Sequence, residues 1–230
     1  MALSLRLALI SALVPPGARV CDIGTDHGYL PIELIKRGDI KSVIATDIRK
    51  MPLSSAEKNI KAAGVGGITL RLCDGLEGIA QNEVDTVITA GMGGEVIASI
   101  LARSAIPTAS PAPLLILQPT TSPEFLRRFL CENGFEIISD TAICENKKLY
   151  SVITARYTGE KYGCGEEFYY CGRVDPRTED GAKYIEKQYL RLKKCADALE
   201  DIPEKQEEYR RLAEISAALK KKLTENRNGI

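Results

Sequence analysis

The chain is organised around Val20-Cys-Asp-Ile-Gly-Thr-Asp-His-Gly-Tyr-Leu30, which has the pattern of a short buried strand, a tight turn and the start of a helix. Gly24 and Gly28 permit a sharp turn and a close approach of the backbone to a ligand. A helix that begins at such a turn directs unpaired N–H groups toward whatever lies there. The stretch therefore predicts a binding site at the end of the first strand, although an ordinary strand–helix turn would fit it equally well.

Asp26 occupies the position at which the dinucleotide-binding pattern G-x-G-x-x-G has its middle glycine. A carboxylate at this point would repel a pyrophosphate, but it would not repel a ligand with a positive centre. The turn therefore favours a nucleoside-type cofactor without phosphates, and S-adenosylmethionine fits that description.

Acidic residues also end the next two predicted strands. Asp47 lies 23 residues after Gly24, close to the spacing at which an acid accepts hydrogen bonds from the ribose hydroxyls of a cofactor. A helix N-cap is the alternative role for Asp47. Asp74 ends the third strand in the same way. Because the carboxyl ends of parallel strands meet in one crevice, we expect Asp22, Asp47 and Asp74 to lie close together.

The fourth predicted strand, 84–90, runs directly into Gly91-Met-Gly-Gly94. Several glycines at this position indicate that the backbone passes very close to another group. Many methyltransferases carry an Asn/Asp-Pro-Pro-Tyr loop here that holds a target amine, and this chain lacks it. A flexible strand–helix turn is the alternative interpretation.

Short apolar runs alternate with helical segments through the first two thirds of the chain, which predicts an α/β fold with a doubly wound, mostly parallel, seven-stranded sheet. Asn146-Lys-Lys148 separates the last two strands as the turn of a β-hairpin would. An N-terminal helix over 3–14 is expected to cover the sheet or the cofactor mouth, and Ser122 is expected to cap the helix that follows the fifth strand.

The C-terminal third has a different pattern. Residues 156–180 are rich in Gly, Tyr and Glu and are predicted to form a loop. Two apolar stripes at helical spacing follow on either side of Pro203, and they predict a helical hairpin with the pattern of an antiparallel coiled coil. We therefore divide the chain into a cofactor-binding domain, 1–157, and a linker with a helical hairpin, 158–230.

Composition narrows the classes of function. The net charge is zero, so no overall basic field indicates nucleic acid, although 181–230 hold 12 Lys and Arg against 9 Asp and Glu. Such charges are typical of a solvated helix face as well as of an RNA-binding one. Seven cysteines without a C-x-x-C motif and a single histidine predict free thiols and no metal site. With no signal or membrane-spanning pattern, we expect a cytoplasmic monomer with no membrane partner.

Three motifs together resemble the bacterial TrmK family: Asp22-Ile-Gly-Thr-Asp-His-Gly-Tyr-Leu-Pro31, Ala90-Gly-Met-Gly-Gly94 and Leu117-Gln-Pro119. The start Leu3-Ser-Leu-Arg-Leu7 and the helical hairpin resemble the corresponding parts of that family. Its members are tRNA (adenine-N1)-methyltransferases that act on adenine 22. The resemblance implies a class I, Rossmann-like S-adenosylmethionine domain, S-adenosylmethionine as cofactor and tRNA as partner.

The resemblance and the strand-end pattern together assign roles as hypotheses. The backbone at Gly24 and Gly28 approaches the cofactor, Asp47 holds the ribose, and Asp22 orients the loop or the methionine amino group. Asp74 accepts from the adenine amino group of the cofactor, with Ile48 and Gly75 beside that ring. The cofactor set is completed by Gly91, Met92 and Gly93. Gly91, Gly93 and Gly94 are expected to shape the floor for the target base.

A second set is assigned to the target nucleotide. Asp26, His27 and Tyr29 are expected to line the mouth, where Asp26 or His27 could hydrogen-bond the target adenine. Arg6 matches an N-terminal arginine of the family and is assigned to tRNA phosphate. The alternatives are an exposed Arg6 without a partner and a His27 without a chemical role.

The chemistry agrees with this set. Adenine N1 carries a lone pair in its neutral form, so it can attack a sulfonium methyl group without first losing a proton. The site then needs in-line positioning rather than a Cys–His pair, and the base must be exposed or flipped. Other functions that we considered are a methyltransferase for another RNA or a small amine, a non-catalytic RNA-binding module, and a nicotinamide-dependent oxidoreductase, which Asp26 disfavours.

Overall fold

The computed structural model describes residues 3–227. The strands are β1 (Arg19–Ile23), β2 (Ser42–Asp47), β3 (Ile68–Leu72), β4 (Thr86–Gly93), β5 (Leu114–Thr121), β6 (Phe135–Glu145) and β7 (Lys148–Tyr157). The α-helices are α1 (Leu5–Leu13), α2 (Tyr29–Lys36), α3 (Lys50–Ala63), α4 (Gly94–Ala102), α5 (Pro123–Glu132), α6 (Glu166–Cys171), α7 (Glu179–Asp197) and α8 (Gln206–Arg227). Short 3-10 turns occupy Ile106–Thr108 and Pro203–Lys205.

All seven strands form one sheet in the order β3-β2-β1-β4-β5-β7-β6. The first five strands pair in parallel, and β7 pairs antiparallel with both β5 and β6. The chain begins the sheet at its centre, moves outward to β3, and then returns across β1 to β4. This strand order confirms the predicted doubly wound, Rossmann-like sheet and its closing hairpin.

Helices cover both faces of the sheet, so the central strands are buried on both sides. Successive residues of β1 point into opposite layers: Cys21 and Ile23 pack in the layer that contains α4 and α5, and Val20 packs in the layer that contains α1 and α2. Ile10 of α1 is fully buried in the second layer. The predicted N-terminal helix therefore covers the sheet.

Helices α7 and α8 pack against each other through a separate apolar cluster that includes Ile185, Leu192, Leu212 and Leu219. This contact confirms the predicted pair of C-terminal helices. The coiled-coil geometry and the domain boundary after residue 157 stay predictions, and the outer ends of the predicted domains, residues 1 and 230, lie outside the described residues.

The predicted loop over 156–180 was wrong in its middle, where Glu166–Cys171 forms α6. The glycines of this segment flank the helix rather than interrupt it, with Gly165 as its N-cap and Gly172 as its C-cap. The helix is stabilised by burial of Tyr169 in the main core, a contact with residues distant in the chain. A six-residue helix is too short for periodicity to reveal.

The predicted capping role of Ser122 was also wrong. Ser122 is the N-cap residue of α5, but its backbone is left-handed (φ 50°) and its side chain makes no cap hydrogen bond. Its hydroxyl instead donates to Glu95 Oε1 at 3.3 Å, at the start of α4. The side chain therefore joins two neighbouring turns instead of closing its own helix.

Arg127 of α5 connects the C-terminal helices to the sheet. Its Nε donates to Asp140 Oδ2 at 2.6 Å, and its side chain is fully buried. Nη1 donates to the carbonyl oxygens of Tyr169 (2.9 Å) and Tyr170 (3.2 Å), while Nη2 donates to Ser151 Oγ (2.9 Å) and Tyr184 Oη (3.1 Å). All five N–H groups of the guanidinium thus have partners, which come from β6, β7, α6 and α7.

Replacement Arg127→Ala should lower the free energy of unfolding by about 3–5 kcal/mol, because it removes the guanidinium that pairs with the fully buried Asp140 carboxylate. Chemical denaturation monitored by circular dichroism measures this loss. Arg177→Ala is the matched control, since Arg177 pairs with Asp175 on the surface and its loss should change stability little. Equal, small effects of the two substitutions would contradict the role assigned to Arg127.

Candidate active site

A cavity of about 370 Å³ opens at the carboxyl ends of β1, β2 and β4. The predicted site residues that line it are Arg6, Asp22, Gly24, Asp26, His27, Tyr29, Asp47, Gly91 and Met92. A larger groove of about 510 Å³ lies between α3 and β3, but it is away from these strand ends. Ligands of open parallel sheets bind outside the carboxyl ends of the strands, so the smaller cavity is the candidate site.

The turn after β1 forms the wall of this cavity. Gly24 (φ 75°) and Thr25 donate their backbone N–H groups to Thr46 O at 2.8 and 3.0 Å, which fixes the turn to β2. A Cβ atom on Gly24 would lie 2.3 Å from Met92 Cε, so the turn of β1 and the glycine-rich end of β4 are in close contact. Only glycine fits here, because it adopts this positive φ easily and has no Cβ atom that would clash with Met92.

Gly28 is not among the lining residues. It is the N-cap of α2 with φ 70°, and a Cβ atom there would lie 3.1 Å from the Cβ atom of Ala56 in α3. The small residue allows α2 and α3 to approach each other, so it positions the helix behind the cavity.

Asp22 is buried at the end of β1, with 4% of its surface exposed. Burial raises the pKa of its carboxyl group to about 6. Among the described residues, no cationic side chain lies within ion-pair distance of this carboxylate. A buried carboxylate without a counter-ion, in a cavity open to solvent, fits a ligand that brings a positive group of its own.

Asp47 is also buried, at the end of β2. Its Oδ1 accepts from the backbone N–H of Arg49 at 2.8 Å and lies 3.7 Å from Arg49 Nε. The N-cap residue of α3 is Arg49, so the alternative role of Asp47 as a helix N-cap was wrong. This bond fixes the Asp47 carboxylate where it lines the cavity, and its contact with a ribose stays a prediction.

Gln118, at the end of β5, is a fully buried residue that holds the mouth together. Its Oε1 accepts from Arg6 Nη1 at 2.6 Å and from Gly91 N at 3.0 Å, and its Nε2 donates to Pro119 O at 2.8 Å. Sequence reasoning did not assign Gln118 to the site. The Leu117-Gln-Pro119 motif contains Gln118 and could have indicated its importance. Its role was not evident because the contact with Arg6 of α1 is not visible in the sequence.

Arg6 is therefore not an exposed arginine without partners. Besides Gln118, it lies 3.6 Å from Glu145 Oε2 through Nε, and its guanidinium lies over the Tyr150 ring at 5.2 Å. Its backbone N–H also donates to Glu145 Oε1 at 3.1 Å. These contacts position Arg6 at the cavity from the side of the β6–β7 hairpin.

His27 and Tyr29 form an aromatic pair at the rim, with ring centroids 5.4 Å apart and planes inclined by 24°. His27 Nε2 lies 3.4 Å from Asp26 Oδ2, and both side chains are about half exposed. Asn59 Nδ2 donates to His27 O at 2.9 Å, which ties the rim to α3. The rim thus presents ring faces and a carboxylate to an incoming molecule.

The remaining predicted residues lie outside the lining of the cavity. Asp74 accepts from Arg103 at 2.9 and 3.2 Å, and this guanidinium lowers the pKa of the Asp74 carboxyl. Gly75 (φ 59°) packs against Ile100 of α4, while Ile48 is 63% exposed beside Asp47. Their contact with the cofactor adenine stays a prediction.

The three glycines at the end of β4 and the start of α4 are each required by a different contact or conformation. Gly91 (φ 83°) faces Arg6, whereas a Cβ atom on Gly93 would lie 3.0 Å from Thr121 Oγ1. At Gly94 it would lie 2.3 Å from Ser122 O. The close approach that the glycine run predicts is therefore made, at Gly93 and Gly94, with the neighbouring β5–α5 turn. Cavity-lining residues that sequence reasoning missed are Leu7, Thr25, Leu30, Arg49 and Ala90.

The described residues also limit the type of site. Within residues 3–227, no cluster of three or more His, Cys, Asp or Glu side chains has the arrangement of a metal site. No helix in the same part of the chain is long and apolar enough to cross a membrane.

Comparison with known proteins gives the family. A model of the methyltransferase domain matches residues 3–153. The tRNA (adenine(22)-N(1))-methyltransferase of Bacillus subtilis is 34% identical over 154 residues, which are 66% of this chain and 64% of that protein. The alignment thus spans slightly less than two thirds of this relative.

Solved structures match over nearly the whole chain. Streptococcus pneumoniae Sp1610, in complex with S-adenosyl-L-methionine, is 32% identical, and the match covers 96% of this chain and 100% of that one with a TM-score of 0.81. The B. subtilis m1A22 tRNA methyltransferase TrmK is 26% identical, with 96% and 99% coverage and a TM-score of 0.80. The chain therefore belongs to the methyltransferase-domain family and, within it, to the bacterial TrmK family that its motifs predicted.

Proposed function

We propose that this protein transfers the methyl group of S-adenosylmethionine to N1 of adenine 22 in tRNA. The observation that carries the proposal is the cavity at the strand ends, where the buried carboxylates of Asp22 and Asp47 adjoin a glycine turn. Relatives that match this chain supply the named reaction and the named cofactor. We also propose that the protein is a cytoplasmic monomer and that it needs neither a metal ion nor a membrane.

The residues of the cavity fit S-adenosylmethionine. Asp47, held by its bond from the Arg49 N–H, is placed to accept from the ribose hydroxyls. The Asp22 carboxylate, buried without a cationic partner among the described residues, suits the positively charged end of the methionine part. The Gly24 turn allows the backbone to approach that part closely. When bound, the cofactor supplies an electrophilic methyl group.

The rim residues act on the target base. His27 and Tyr29 present ring faces on which an adenine can stack, a contact that supports a base removed from its own stack. Because neutral adenine N1 has a free lone pair, no general base is needed, and positioning is the main contribution of the protein. The adenine gains positive charge as the methyl group arrives, and the Asp26 carboxylate at the rim stabilises that charge.

Arg6 and the C-terminal hairpin are the predicted contacts with tRNA. Arg6 is positioned by Gln118 and Glu145, so it can present its remaining N–H groups to a phosphate near the cavity. On the hairpin, several basic side chains already pair with acidic ones; the pairs are Lys183–Glu179, Arg191–Glu124, Lys193–Asp197, Arg211–Glu166 and Lys221–Glu225. This pairing reduces the positive electrostatic potential at the surface of the hairpin, and with it the attraction for RNA phosphates.

The reaction is tested with radiolabelled S-adenosylmethionine and an unmodified tRNA transcript, followed by nucleoside analysis. We expect the label in N1-methyladenosine, and we expect a transcript with adenine 22 replaced by guanine to take up none. Equal labelling of both transcripts would contradict the assigned position. Tight cofactor binding without labelling of any tRNA would favour another RNA, a small amine or a non-catalytic RNA-binding module.

Binding of S-adenosylmethionine should depend on pH through Asp22. Burial holds the pKa of this carboxyl at about 6 in the free protein, and a cationic ligand favours the ionised form. The affinity should be highest near pH 7, and the dissociation constant should rise by about tenfold per pH unit below pH 6, where binding must first release a proton. Isothermal titration calorimetry in buffers of different ionisation enthalpy measures both the affinity and the proton release.

Asp22→Asn is the control for that measurement. The variant should bind the cofactor more weakly at pH 7.5 and lose the pH dependence between 5 and 7. Its fold should be at least as stable as the wild type at pH 8, since an ionised carboxylate with a raised pKa destabilises the folded state above about pH 6. A pH dependence that survives in Asp22→Asn would show that another group is responsible.

A further inference from the structure

The turn between β6 and β7 has an unusual sequence for its conformation. Glu145 pairs with Lys148, so Asn146 and Lys147 alone form the loop, and both have positive φ angles (49° and 63°). Two-residue hairpin loops of this type favour Asn-Gly, because glycine adopts the second position without steric cost. Lysine at this position is disfavoured by local conformation, so the backbone of the turn does not explain its presence.

The turn lies at the mouth of the candidate active site. Glu145, the residue before it, accepts from the Arg6 backbone N–H at 3.1 Å and pairs with the Arg6 side chain. Tyr150, three residues after Lys147, has the Arg6 guanidinium over its ring. Since Arg6 lines the cavity, the β6–β7 turn is attached to the rim through a side chain of the site.

The charge of the turn is also available to a partner. Asn146, Lys147 and Lys148 are exposed. Within the part of the chain that the structure describes, no carboxylate forms an ion pair with either lysine, whereas Arg6 nearby is paired with Glu145. Lys147 in the turn and Lys148 at the start of β7 are therefore two adjacent exposed cations.

We propose that the β6–β7 turn, Asn146–Lys148, binds the phosphate backbone of tRNA next to the nucleotide that enters the cavity. This inference rests on the proposed function. A base inserted into the cavity leaves its flanking phosphates at the rim, where flexible lysine ammonium groups serve as point charges. Such contacts fix the position of the RNA without reading its sequence. The turn thus orients the substrate relative to His27 and Tyr29.

The test is the double variant Lys147→Gly/Lys148→Ser. Glycine adopts the positive φ of position 147 more easily than lysine, so the hairpin should keep its fold and the melting temperature should not fall. The tRNA dissociation constant should rise about fivefold to tenfold at 0.15 M salt. The logarithm of the association constant falls with the logarithm of the salt concentration, and the magnitude of this slope should decrease by about 1.4–1.8, the value for two lost phosphate contacts. The KM for tRNA should rise, with kcat at saturating tRNA and the cofactor affinity unchanged.

Two further variants serve as controls. Lys41→Ser/Lys161→Ser removes the same charge from exposed positions at the other end of the strands, where the parallel strands begin. This variant should keep the tRNA affinity and the salt slope near the wild-type values. Lys147→Arg/Lys148→Arg keeps the charge and should retain tight binding.

Failure of the inference can be told apart from failure of the proposed function. If the wild type methylates tRNA but the double variant binds tRNA with wild-type affinity and salt slope, the inference is overturned alone. An equal loss in the Lys41→Ser/Lys161→Ser control also overturns it, because only net charge would then matter. If the wild type methylates no tRNA at all, the proposed function fails and the inference fails with it.

Discussion

The backbone hydrogen bonds from Gly24 and Thr25 to Thr46 O fix the turn on which the rest of the site depends. They attach the end of β1 to the end of β2, so the carboxylates of Asp22 and Asp47 reach the same cavity. The turn also determines where α2 begins, and with it the positions of His27 and Tyr29 at the rim. A parallel sheet makes this arrangement possible, because all of its strands end at the same edge.

The site is closed on its other side by Gln118. Its single carbonyl oxygen accepts both from Gly91, at the end of β4, and from Arg6, in α1. Arg6 in turn contacts Glu145 and Tyr150, which flank the β6–β7 turn. A buried amide thus connects the cavity wall to an exposed basic turn. This kind of connection can fix the position of a substrate surface relative to a cofactor site with which it must act.

Asp22 and Asp74, which were expected to lie close together at neighbouring strand ends, have different environments. Asp22 is buried without a cationic partner among the described residues, and its pKa is raised. Asp74 is paired with Arg103, and its pKa is lowered. The sequence places both at strand ends, but it contains no sign of the guanidinium that pairs with Asp74, since Arg103 is the C-cap residue of α4, 29 residues further along the chain. Asp22 lines the cavity and Asp74 does not, so a position at a strand end predicts neither the lining of the cavity nor the charge state of the acid.

The sequence by itself determined the doubly wound sheet, the glycine turn after β1, the placement of Asp22 and Asp47 at one edge, and the pair of C-terminal helices. These features follow from apolar periodicity and from the conformational freedom of glycine, which are properties of short segments. Only the tertiary structure decided the roles of Arg127 and Gln118 and the existence of α6. Arg6 and Gln118 are 112 residues apart, and a contact between such distant residues depends on how whole elements pack, which no local pattern encodes.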